Sequence, residues 1–181
     1  MKAQWRGHNT ETAVTSPLSL VITAFAPVVD IRQTLTPELQ LDEPDTCLVF
    51  VDLGASRQRL GGSILAQCYG AMGDLTADLE SPEILRDFFD AIQLLNESGY
   101  ILAYHDRSDG GLITTLCEMA FCARSGLDIE INALGVDPIS ALFCEELGAV
   151  LQIKTSHREA VLSLLRASES LVDGVHVIGQ P

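Results

Sequence analysis

Seven residues constrain this chain more than any others. "CLVFVDL" (47–53) is apolar almost without interruption. A strand with one face in water alternates apolar and polar side chains, so an unbroken run implies burial on both faces, in a sheet covered by helices. The clearest covering helix is "SPEILRDFFDAIQLLNESG" (81–99), where Ile84, Leu85, Phe88, Phe89, Ile92 and Leu95 form one stripe. Ser81 suits its cap, Pro82 its first turn and Gly99 its end. Further strands are expected at 19–28, 100–104, 127–134, 149–155 and 175–179. Further helices are expected from about Ser63, over 112–125, over 137–147 and over 157–168. Strands alternating with helices, without an internal repeat, give a layered α/β domain with a parallel or mixed sheet.

The 181 residues fit one large domain. A hydrophobic content of 47% is high for a soluble chain, yet no apolar run reaches the roughly 18 residues that span a bilayer. Membrane insertion is not expected. The excess apolarity points instead to a face meant for another domain or subunit, and to self-association when that face is uncovered. The net charge of −14 and the scattered Lys and Arg residues oppose a nucleic-acid partner. Cys47, Cys68, Cys117, Cys122 and Cys144 show neither C-x-x-C spacing nor a zinc-type His-Cys set, and read as reduced core residues. Residues 1–14 lack the apolar core of a secretory signal and read as a linker or arm before a domain over 15–181, with a cytoplasmic location expected.

Two glycine-rich stretches are candidate ligand sites. In "RLGGSILAQC" a turn containing Gly61 and Gly62 opens a short helix near Ser63, a layout in which backbone N–H groups can cradle an anion. Its spacing matches neither the Walker pattern nor G-x-G-x-x-G, and an ordinary tight turn stands beside that reading. In "YHDRSDGGLITTLCEMAF" (104–121) a strand ends, Ser108 or Asp109 can cap a helix, and Gly110 and Gly111 allow close backbone approach. Asp106 and Asp109 would repel a phosphate there unless a Mg²⁺ bridged carboxylate and phosphate. One loop cannot complete such a metal site, and both acids are equally explained as capping residues. His105 can orient Asp106 or simply pack, and Arg107 can pair with a surface acid. Glu145 and Glu146 suggest acid–base or metal work, but neighbours on a helix diverge, and a helix-end role is the simpler reading.

Taken together, "TSPLSLVITAFAPVVDIRQTLTPEL" (15–39), "RLGGSILAQCYGAMGD" (59–74), "HDRSDGGLITTLCEMAF" (105–121) and "LFCEELGAVLQI" (142–153) resemble the large, single-chain phosphoribosylformylglycinamidine synthases. The resemblance runs in order over about residues 12 to 180. More distantly, the D-x-S-D-G-G-L stretch is similar to a loop of the aminoimidazole ribonucleotide synthetase superfamily. The resemblance implies the second C-terminal-type (B) domain of such an enzyme, as a fragment. The implied fold is an α/β/α sandwich with a mixed sheet. The family reaction consumes ATP and glutamine to convert formylglycinamide ribonucleotide into formylglycinamidine ribonucleotide, a step of purine synthesis.

Carried over by position, the resemblance makes Asp106 a Mg²⁺ ligand and Ser108 a contact to ATP or ADP. Gly110, Gly111, Gly61, Gly62 and Ser63 become secondary ligand contacts. The implied cleft holds an auxiliary nucleotide, so no residue here is expected to be catalytic, and no cysteine is expected to be the glutaminase nucleophile. The expected partners are the remaining synthase and glutaminase domains, and the domain alone is expected to be inactive. Two alternatives remain open: a purely structural interaction domain, and a small ATP-using enzyme of the same superfamily.

Overall fold

The computed structural model describes residues 2–6, 11–15, 21–28, 30–73, 75–135 and 137–181. The chain divides into two compact units, 1–31 and 32–181. In the first, β1 (Lys2–Arg6) and β2 (Glu11–Thr15) pair antiparallel, from Lys2 opposite Thr15 to Arg6 opposite Glu11. The strand expected at 19–28 is not formed over 21–28, where Val21, Ile22 and Phe25 are exposed; residues 19 and 20 lie outside the described residues. An apolar, β-prone run stays irregular when no neighbouring strand supplies its backbone partners.

The second unit is built on β3 (Thr46–Asp52), the strand anticipated from CLVFVDL. It lies at the centre of a five-stranded sheet ordered β4 (Ile101–Asp106), β6 (Gly148–Lys154), β3, β7 (Val175–Gln180) and β5 (Asp128–Ile129). Every pairing in this sheet is antiparallel, which corrects the mixed pairing expected above. The helices between successive strands return the chain to pair with a non-sequential neighbour, so alternation in sequence did not become parallel crossovers.

Both faces of the sheet are covered, as the unbroken apolar run requires. Cys47, Val49 and Val51 of β3 pack with the buried stripe of α2 (Pro82–Glu97) and with α5 (Arg158–Leu165). Leu48 and Phe50 face the other way, toward α3 (Gly111–Ala123) and α4 (Pro138–Phe143). The result is an α/β/α sandwich. In α2, the Ser81 hydroxyl accepts from the Glu83 amide at 3.1 Å, and Ile84, Phe88, Ile92 and Leu95 are buried; Leu85 and Phe89 of the expected stripe are exposed.

Two elements are shorter than expected. The 127–134 strand is reduced to β5, Asp128 and Ile129 paired with the end of β7 and followed by a last bond from Glu130 N to the Ile178 carbonyl, because it is the sheet edge and the chain then turns into a 3₁₀ segment, Asn132–Leu134. The 137–147 helix stops at Phe143, so Glu145 and Glu146 lie beyond its end, in the turn leading to β6.

Candidate functional site

The loop 107–110 joins β4 to α3 and begins with a residue that points inward. Arg107 is only 5% exposed, so the surface ion pair expected of it is replaced by a buried one. Its guanidinium donates to the Asp52 carboxylate, to the Glu146 carbonyl and, at 2.8 Å, to the Leu147 carbonyl. It also lies 4.9 Å from the centre of the Phe50 ring. A buried charge is tolerated only with such a set of partners. With Arg107 turned into the core, Asp106 and Ser108 on either side are exposed.

Asp106 ends β4. One carboxylate oxygen, Oδ1, accepts from the Tyr104 phenol, and Oδ2 has no partner among the described residues. Burial, reinforced by this carboxylate, pushes the Tyr104 phenol well above its ordinary value, so it remains a donor. His105 turns to Glu118, with 2.6 Å between Nε2 and Oε2, and does not orient Asp106.

Neither Ser108 nor Asp109 caps α3. The cap position is Gly110, at φ +86°, and its amide donates to Oε1 of Glu145 at 2.8 Å. The Gly111 amide donates to the Ser108 carbonyl at 3.0 Å. A Cβ on Gly111 would fall 2.6 Å from the Leu142 carbonyl oxygen, so this glycine serves close packing against the end of α4. Of the two amides anticipated as an anion cradle, that of Gly110 is thus taken by a carboxylate of the same chain and that of Gly111 by a carbonyl.

The second glycine stretch folds against the first. Short α1 (Ile64–Cys68) is capped by Ser63, whose hydroxyl accepts from Ala66 N at 3.2 Å and donates to the Leu60 carbonyl at 2.7 Å. The Gly61 and Gly62 amides donate to the carbonyls of Leu75 and Met72 at 2.7 and 2.6 Å. A Cβ on Gly61 would lie 2.2 Å from the Leu75 oxygen, so glycine is required by the approach of the two chains. These backbone donors are used internally, and Ser63 is a buried cap.

The two stretches nevertheless form one pocket. A cavity of about 390 Å³ is lined by Gly61, Gly62, Thr76, Ser108, Asp109 and Glu145, among others. The Ser108 hydroxyl has no hydrogen-bond partner among the described residues. Asp106 does not line this cavity, and no group of three His, Cys, Asp or Glu side chains suited to a metal occurs among the described residues. Mg²⁺ often takes only one or two protein carboxylates and fills its other positions with water and phosphate. An exposed carboxylate with one free oxygen fits such a partial ligand set. A larger cavity, about 470 Å³ and lined by Asp52, Asp137, Asp173 and His176 among others, contains none of the anticipated residues.

Sequence reasoning noticed Glu145 and Glu146 as a pair but missed the distant partners that give each its role. Glu145 Oε1 accepts from Gly110 N and also from Ile64 N, each at 2.8 Å. Glu146 is fully buried, and its carboxylate takes both Nε and Nη2 of Arg59, at 2.6 and 2.8 Å. Cys144, next to them, is buried, and burial pushes its thiol up; the same holds at Cys47, contrary to what a thiolate nucleophile needs.

The family model described as "AIR synthase related protein, C-terminal domain" matches residues 45–180. Among solved structures, T. maritima PurL complexed with FGAR is similar at a TM-score of 0.62 and 12% identity, over 83% of this chain and 26% of that one. T. maritima PurL complexed with ATP gives 0.59 and 11%, over 83% and 23%. E. coli HypE, a hydrogenase maturation protein, gives 0.55 and 19%, over 81% and 45%. The chain therefore spans about a quarter of the length of those PurL chains and under half of HypE. At these identities the structural likeness shows the fold, and the family match assigns the chain: it belongs to the AIR synthase related proteins, as a C-terminal domain of that family.

Proposed function

We propose that the chain is the second C-terminal-type domain, over 15–181, of a large phosphoribosylformylglycinamidine synthase, acting in the ATP- and glutamine-dependent amidation of formylglycinamide ribonucleotide. Its contribution is half of a Mg-nucleotide site. Ser108 meets an adenine nucleotide, Asp106 supplies one Mg²⁺ ligand, and the remaining synthase and glutaminase domains provide the other half. The observation that carries this reading is the exposed Ser108 hydroxyl, without a hydrogen-bond partner among the described residues, opening onto a cavity shared with Gly61 and Gly62. PurL chains of the same fold, one complexed with ATP and another with FGAR, support it.

Bound Mg²⁺ would neutralise phosphate charge that Asp109 and Glu145 otherwise oppose. The protein's own part is positional. Buried Arg107 turns Asp106 and Ser108 outward, and the Tyr104 phenol holds one Asp106 oxygen so that the other is free. The internally bonded glycine amides favour a second reading, a purely structural domain in which these turns only pack. The test is to prepare the full-length natural protein as wild type, Asp106→Asn and Ser108→Ala, and to measure bound ADP and Mg²⁺. Loss of both ligands in the variants is expected; unchanged contents would leave the structural reading.

A further inference from the structure

The turn between α4 and β6 holds both walls of the pocket. On the Ser108 side, Arg107 is anchored through its side chain to the carbonyls of Glu146 and Leu147, and through its amide to the Gly148 carbonyl at 2.7 Å. Three residues later, Gly110 is anchored to Glu145. Ser108 and Asp109 therefore span the gap between two residues fixed by the same short segment. On the glycine side, Ile64 N is held by Glu145 and the Arg59 side chain by Glu146. Glu145 is the residue common to both walls, and a single oxygen of it makes both bonds.

We propose that Glu145 is the positioning residue of this pocket: by bridging the amides of Gly110 and Ile64 it sets the separation of the two glycine-rich walls, and with it the place of Ser108 relative to a bound nucleotide. The inference rests on the reading of this pocket as a nucleotide site. A carboxylate lining a phosphate pocket would ordinarily weaken binding. Here its charge is directed at two backbone donors, and bonds from N–H groups to a carboxylate are stronger than neutral ones. The side chain is 81 residues from one donor and 35 from the other, so it acts as a tertiary tie between two turns that have no covalent reason to meet.

The experiment is calorimetric titration of the full-length natural protein, stripped of nucleotide, with Mg-ADP, alongside thermal unfolding of each variant. Glu145→Ala removes the tie and is expected to weaken binding about 10-fold. Glu145→Gln keeps an acceptor oxygen without the charge and is expected to stay within about 3-fold of wild type. If Glu145→Ala does not fold, Glu145→Asp, one methylene too short to reach both amides, is titrated in its place with the same weakening expected. Wild-type affinity in the Ala or Asp variant would overturn the positioning role. So would tighter binding in both Ala and Gln variants, because Glu145 would then be only a repelling charge. Ser108→Ala separates the failures: if it binds weakly while Glu145→Ala does not, only the positioning role falls, and if it too binds like wild type, the nucleotide reading falls with it.

Discussion

The Ser63 turn and the Ser108 turn look alike in sequence, each a serine within two residues of a Gly-Gly pair at the start of a helix, and the structure uses them in opposite ways. Ser63 is 2% exposed and spends both its donor and its acceptor capacity on the turn it begins. Ser108 is exposed and spends neither on any of the described residues, because α3 is capped from a distance by Glu145. A serine that caps its own helix is consumed by folding, whereas one whose helix is capped by a remote carboxylate is left for a ligand. Local sequence contains the serine in both cases, but the residue that decides its fate lies 35 positions from the Gly110 amide it caps.

The largest effect expected from disturbing this arrangement lies at the strut beneath Ser108. Arg107→Met leaves the Asp52 carboxylate, only 12% exposed, without its cation. Breaking a buried pair by removing one partner costs about 3–5 kcal/mol. Denaturant unfolding should therefore show a large drop in midpoint, mostly recovered when Asp52→Asn is added and no uncompensated charge remains. A loss below about 1 kcal/mol would mean that the pair behaves as a surface bridge. The Ser108 turn would then be no better anchored than an ordinary loop.

How far the sequence anticipates these findings depends on the range of the forces involved. β3 and α2 were legible because one run of apolar residues, one Ser-Pro start and one Gly end act within a few residues of each other. The antiparallel pairing was not, since strand order depends on which edges meet after the chain has returned. Residues 127–134 alternate as a strand should, yet the pairing with β7 ends after Asp128 and Ile129 and one bond from the Glu130 amide. At the site, the pair of glycine stretches and Ser108 were marked by local pattern, and the structure brings them to one cavity. The burial of Arg107 was invisible, because a charged residue reads as surface until Asp52 and two carbonyls are found around it. Glu145 and Glu146 were noticed as a pair, but their roles depend on partners from 59, 64 and 110.

A smaller effect tests the serines directly. Ser63→Ala should lower unfolding stability by about 1 kcal/mol, the usual loss of an N-cap, and leave nucleotide binding in place. Ser108→Ala should change stability by less than about 0.5 kcal/mol, as a surface substitution, while reducing bound nucleotide. The comparison is sharpest if the two measurements cross in this way. It breaks if Ser108→Ala is the more destabilising, since the hydroxyl would then be serving the fold.

The smallest expected effect is a pH dependence, and it too separates the two turns. His176 on β7 stacks against Phe50, 6.4 Å between ring centres, and Phe50 is the ring under the Arg107 guanidinium. Burial holds the His176 imidazole below its ordinary value, the nearby Asp52 opposing this and Arg166 adding to it. The folded protein therefore resists a proton that the unfolded chain accepts near about pH 6.5. This group's stabilising contribution is complete above that pH and is lost as pH falls toward the lower folded value, levelling once both states are protonated. The loss should be read as a shallow fall in denaturant midpoint below about pH 6.5 that His176→Gln flattens. Ser63→Ala should shift the whole profile down without changing its slope, because no histidine adjoins that turn's hydrogen bonds. A slope that survives in His176→Gln would assign the titration to another group and remove the pH link from the Ser108 side of the comparison.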